Sequence, residues 1–156
     1  MSKLLLSLHV LAAVLAVGPV TVAASMFPKS LGQAASSPST VSTAPTTLTV
    51  LHRICRVYAA VGIAVPLLGF ATASSMGVMG SPWLIASIVL TTAAAAVLMV
   101  LILPGQETAL EAVRRSDTAP LARAAGRLAG LTGVFNLLWA TVTVLMIVRP
   151  GSTTGA

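Results

Sequence analysis

The sequence predicts an all-α fold, a four-helix transmembrane bundle that runs up-down-up-down through a lipid bilayer. Three observations predict it. The 156 residues are 56% apolar and only 8% charged, their mean hydropathy is +0.99, and the apolar residues gather into four separate stretches of membrane-spanning length. A soluble domain carries about a quarter charged residues, so the water-soluble class is excluded. One cysteine excludes an intrachain disulfide. The formal charge of +6 points to nucleic acid only when the basic residues share a polar face. Here they are spread among the loops, and no nucleic-acid partner is expected.

A bilayer core about 30 Å thick needs roughly 20 apolar residues in a helix. The first stretch covers about 4–22, with His9 as its one ionisable side chain. The second, about 57–78, contains no Asp, Glu, Lys or Arg. The third, about 83–103, is the most uniform, with Ala93 to Ala96 at its middle. The fourth, about 128–148, is interrupted by Asn136 and several threonines. Lipid offers the backbone no hydrogen-bond partners, so each stretch must be helical. Lys3, the apolar run and Val22-Ala23-Ala24 also have the outline of a secretory signal. A run longer than the usual signal core of about 7–15 residues favours a permanent helix.

The prolines punctuate this reading. Seven of the nine fall between or beyond the spans. Ser81-Pro82 reads as an N-cap followed by proline at the first helical position. Pro104-Gly105 is expected to stop the third span and Pro150-Gly151 the fourth. Pro19 and Pro66 lie inside spans, where each deprives the carbonyl four residues earlier (Leu15 and Gly62) of its donor and bends the helix.

The first loop, 28–49, is rich in Ser, Thr, Pro and Ala and reads as a flexible tether. The link around Gly80-Ser81-Pro82 is short enough to force an antiparallel hairpin. The charged loop, 104–127, holds all three acids (Glu107, Glu111, Asp117) and four arginines. Within it 106–115 can form two or three helical turns, with Glu111 and Arg115 at the favourable i,i+4 spacing. Such a segment suits a solvated or interfacial helix, or the binding of anionic lipid headgroups. Lys29, Arg53, Arg56, Arg114, Arg115, Arg123 and Arg127 put seven positive charges on the loop side, against Lys3 and Arg149 on the other. The positive-inside rule then places loops one and three in the cytoplasm and both termini outside, in a bacterial cytoplasmic membrane.

Little in the sequence carries chemistry. There is no phosphate loop, paired intramembrane carboxylate, CxxC or HExxH, so no enzyme is expected. His9 is the most informative side chain, because an ionisable group in a span faces the bundle interior and has a partner. Thr143 lies at a similar depth on the fourth helix, and Met76 and Met79 close the same end of the second. A histidine with one or two thioethers is a soft Cu(I) site; the alternatives are a neutral histidine hydrogen-bonded in the packing, a haem ligand or a proton relay. His52 and Cys55 are three apart, but two ligands are too few for zinc. Asn136, near the midplane, is suited to a hydrogen bond across helices. Gly126 and Gly130 form a GxxxG pair that permits close helix approach, either within the bundle or at a homodimer face.

Leu8-His9-Val10 followed by small residues and Gly18-Pro19, Arg53 and Arg56 ahead of the second span, the Trp83 opening of the third, and Pro104 with Arg114-Arg115 downstream form a loose set of features. Together they resemble a family of four-helix membrane proteins of unknown function, best represented in high-GC, actinobacterial-type bacteria. That family is similar to the CopD-like copper-resistance membrane domains and, more distantly, to haem-binding protoporphyrinogen-oxidase-like membrane proteins. The resemblance covers nearly the whole chain. It implies the four-helix fold and a first-helix histidine that ligates metal or haem, here His9. The third span has no Lys or His, so no second haem ligand is expected from it. Two functional readings follow: a non-enzymatic membrane protein with a His9-centred copper or haem site, or an accessory subunit of a larger respiratory or transport assembly in the same bilayer.

Overall fold

The computed structural model describes residues 2–36 and 43–151. The elements are α1 (Ser2–Ser36), α2 (Ala44–Val61), α3 (Ala64–Met76), α4 (Pro82–Ala96), a π-helical stretch (Val97–Ile102), α5 (Leu103–Arg114) and α6 (Leu121–Val148). α4 continues through the π-helical stretch into α5, and α3 follows α2 after the short turn at Gly62–Ile63, so each pair forms one long unit. Four helices long and apolar enough to cross a membrane result, and no strand occurs among the described residues. The all-α four-helix bundle is therefore observed. α1 packs on α2, α3 and α6; α6 packs on α4; α2 packs on α5.

The rods are longer than the predicted spans. At 1.5 Å per residue the 35 residues of α1 reach about 52 Å, well beyond the ~30 Å hydrocarbon core. The excess lies on the loop side, where Lys29, Arg53, Arg56, Glu107, Glu111, Arg114, Arg123 and Arg127 are all exposed. The flexible tether expected over 28–49 is thus corrected: 28–36 continue α1 and 44–49 begin α2, while 37–42 lie outside the described residues. Apolar burial overrides the Ser/Thr/Pro-rich composition. Phe27, Leu31 and Ala34 of α1 are buried in one cluster with Ala44, Leu48, Leu51 and Cys55 of α2. Both sets recur at helical spacing, so the signal was present in the sequence and outweighed by composition.

Pro28 sits inside α1 and leaves the carbonyl of Ala24 without its i+4 donor. Thr132 Oγ1 on α6 donates to that carbonyl at 3.3 Å, so the defect becomes a cross-helix bond. Pro66 acts differently. It deprives the Gly62 carbonyl, which accepts from the Val65 N–H at 3.1 Å instead, and the rod breaks at Gly62–Ile63 between α2 and α3.

The expected stop at Pro104-Gly105 is also corrected. The helix widens into the π-helical turns of 97–102 and runs through Pro104, which takes a first-turn position in α5. There a missing N–H is tolerated, and π-turns are a known way to absorb such an interruption. The chain turns at 115–120, so the charged loop is shorter than 104–127. The other end signals hold. Ser81 is extended ahead of Pro82 (φ −72°, ψ 132°), and α6 ends at Val148 before Pro150-Gly151; the structure adds a stop at Gly77, which ends α3 in the left-handed region (φ 68°).

Candidate functional site

Above the break at Gly62–Ile63, α3 leans on α1 and makes little contact with α4 except around the hairpin, where Ala73, Trp83 and Leu84 cluster. The gap is a cavity of about 850 Å³ between α1, α3, α4 and α6. Its walls are mostly apolar, with Val14, Val65, Phe70, Leu84 and Val142 among them. That volume is in the range of small-molecule sites, far beyond what one ion needs.

His9 lines the cavity from α1. Its Nδ1 donates to the backbone carbonyl of Val65 at 3.0 Å. A proton on Nδ1 in the neutral ring leaves the lone pair on Nε2. Nε2 has no hydrogen-bond partner among the described residues. Histidines that bind metals are commonly held this way, with the second nitrogen donating to a carbonyl. Gly69 provides the seat: a Cβ there would lie 3.0 Å from His9 Cε1 and 3.4 Å from Nδ1. The Pro66 break, the Val65 carbonyl and Gly69 together fix the ring.

Thr143 and Met146 of α6 line the same cavity. Thr143 Oγ1 donates within its own helix, to the Trp139 carbonyl at 2.9 Å. Met76 and Met79 are not among the lining residues, so the His9–Met76–Met79 grouping is not assembled around the cavity, and Met146 is the thioether that shares it. Among the described residues, no group of three or more His, Cys, Asp or Glu side chains could hold a metal. Arg149 closes the lining at the C-terminal end of α6. Trp139, also in the wall, has a buried indole N–H without a partner among the described residues.

A second polar cluster sits on the loop side. His52 Nδ1 donates to Gln106 Oε1 at 3.1 Å, and Gln106 Nε2 donates to Cys55 Sγ at 3.7 Å. All three are buried, so the amide spends both ends tying α2 to α5. His52 and Cys55 do face the same way, but what lies between them is Gln106. Its position could have been read from the sequence, since 102, 106, 109, 110 and 113 trace one buried helical stripe. Gly69 and the Val65 carbonyl gave no comparable signal, because glycines and backbone carbonyls have no pattern that marks a partner on another helix.

Asn136 Nδ2 donates to Ser25 Oγ on α1 at 3.3 Å. Gly126 and Gly130, by contrast, touch nothing: a Cβ at either would meet no atom within 4 Å. Their expected role in packing within the bundle is therefore corrected. The buried stripe of α6 runs through Leu121, Ala125, Leu128, Thr132 and Phe135, which turns the two glycines outward. Glu111 and Arg115 form the i,i+4 pair at 3.4 Å, exposed and worth little in stability.

The family model described as "Predicted integral membrane protein (DUF2269)" aligns with residues 3–150. No curated protein and no solved structure matches the chain.

Proposed function

The chain belongs to this DUF2269 family of predicted integral membrane proteins, and from that premise we propose that it is a membrane-embedded binding protein whose cavity takes its ligand through His9. The observation that carries this reading is the pinned ring: Nδ1 on the Val65 carbonyl and Nε2 without a protein partner, on the wall of an 850 Å³ cavity. The cavity size and the position of Met76 and Met79 outside its lining favour an iron porphyrin over a bare copper ion. Neutral imidazole is the usual proximal nitrogen for haem, and apolar walls suit the macrocycle. Bound there, the iron would supply electron-transfer or gas-binding chemistry. The chain's own part is to hold the imidazole in one tautomer, seat it against Gly69 and exclude water.

The test is a haem titration of the purified full chain in mild detergent, read by visible absorption, with bound metals measured alongside. Wild type should give a saturable shift of the main absorption band; His9→Ala should abolish it, and Gly69→Ala should weaken it by displacing the ring. Identical spectra for wild type and His9→Ala, with no metal retained by either, would remove the reading.

A second reading, an accessory subunit or homodimer, is supported by the outward Gly126 and Gly130. Small residues on an outward helix surface allow another helix to approach closely. The seven loop-side cations also support a bacterial cytoplasmic membrane with loops one and three inside and both termini outside; reporter fusions at the two termini should give the same, non-cytoplasmic side.

A further inference from the structure

Arg149 is oddly placed for a cation at the end of a membrane helix. Such side chains ordinarily extend outward to the headgroups and water. Here the backbone at Arg149 is left-handed (φ 45°), an uncommon conformation for a non-glycine residue. The side chain folds back: Nε donates to the Met146 carbonyl at 3.2 Å, and Cζ lies 5.6 Å from the centroid of the Trp83 ring. Trp83 is itself buried. Arg149, held in this way, lines the cavity that His9 also lines.

A guanidinium has five N–H donors, and one is used. The other four have no partner among the described residues. The sequence has three side-chain carboxylates, Glu107, Glu111 and Asp117, and all lie on α5 and the turn after it, at the loop-side end. No side-chain carboxylate can therefore neutralise Arg149. An anion brought in by a ligand would gain a bidentate, charge-assisted pair with these free donors.

We infer that the cavity takes a single-bodied amphiphile bearing a carboxylate, with its apolar part between α1, α3, α4 and α6 and its carboxylate on Arg149. The volume suits one acyl chain or one ring system rather than the paired chains of a phospholipid. The inference shares the cavity with the reading above but does not depend on ligation by His9.

The test uses a fluorescent long-chain fatty acid and its methyl ester, titrated into the full chain in neutral detergent at about pH 9, where the carboxyl is ionised and arginine stays charged. Wild type should bind the acid roughly tenfold more tightly than the ester. Arg149→Gln should bring the ratio close to that in empty micelles, and Arg149→Lys should keep part of it. Thermal unfolding of each variant checks that the fold survives. Equal binding of acid and ester by wild type, a ratio that survives Arg149→Gln, or no binding of either would overturn the inference. Displacement of the acid by equimolar phosphatidylglycerol would overturn its single-bodied form. A haem titration that fails while the acid-to-ester ratio holds removes the ligation reading alone.

Discussion

The two ends of the bundle are held together by different physics. On the loop side the helices extend past the bilayer, and Phe27, Leu31, Leu48 and Leu121 are almost fully buried in one continuous cluster. Water surrounds that end, so each such side chain contributes roughly 1.5–3 kcal/mol by burial. On the terminal side the same helices lie in lipid, where apolar surface gains nothing by leaving its surroundings. In the most apolar window of each helix no more than 28% of residues are buried. A gap between α3 and α4 survives there because no hydrophobic force closes it. The packed end fixes the geometry; the open end has room for a ligand.

That contrast predicts unequal responses to the same kind of substitution. Phe27→Ala and Leu48→Ala should each destabilise the detergent-solubilised protein by about 3–5 kcal/mol, whereas Phe70→Ala, in the cavity wall and half exposed, should cost under about 1 kcal/mol. Equilibrium unfolding in a denaturing detergent measures both, and equal losses would end the distinction between the two ends.

Gln106→Ala sharpens the comparison within the packed end. It strands the His52 Nδ1 donor and removes the Cys55 contact, which should cost about 1–3 kcal/mol. The buried thiol should then react faster with a maleimide, since wild-type Cys55 is completely covered. Unchanged stability and labelling would mean that the amide does not tie α2 to α5.

The smallest effect belongs to the outward face of α6. Gly130→Ala meets no atom in the chain, so in a monomer it should raise stability by about 0.5–1 kcal/mol through helix propensity. If the face is an interface between copies, native gels in mild detergent should instead show a larger species that Gly130→Ala weakens. A species at monomer mass alone would count against the accessory-subunit reading.

The candidate site was only partly legible. His9 stood out because an imidazole in a hydrocarbon-length run is costly without a partner. Its partner, the Val65 carbonyl, is 56 residues away and carries no side-chain mark. Arg149 was visible as a charge beyond the last span, but its return across Trp83 depends on one left-handed residue. Met76 and Met79 lie at the same end of the bundle as His9 but outside the lining of its cavity, and depth along a helix alone does not say which residues share a cavity.

By itself the sequence determined the number of helices, their apolar character and the sharp ends at Pro82 and Pro150, because each follows from local requirements of chain, water and lipid. Only the tertiary structure decided how far the helices extend, that Pro28 and Pro104 are passed rather than obeyed, and that a cavity opens beside His9. Those outcomes depend on which partner reaches a freed carbonyl or an apolar stripe from another helix, and no local rule contains that partner.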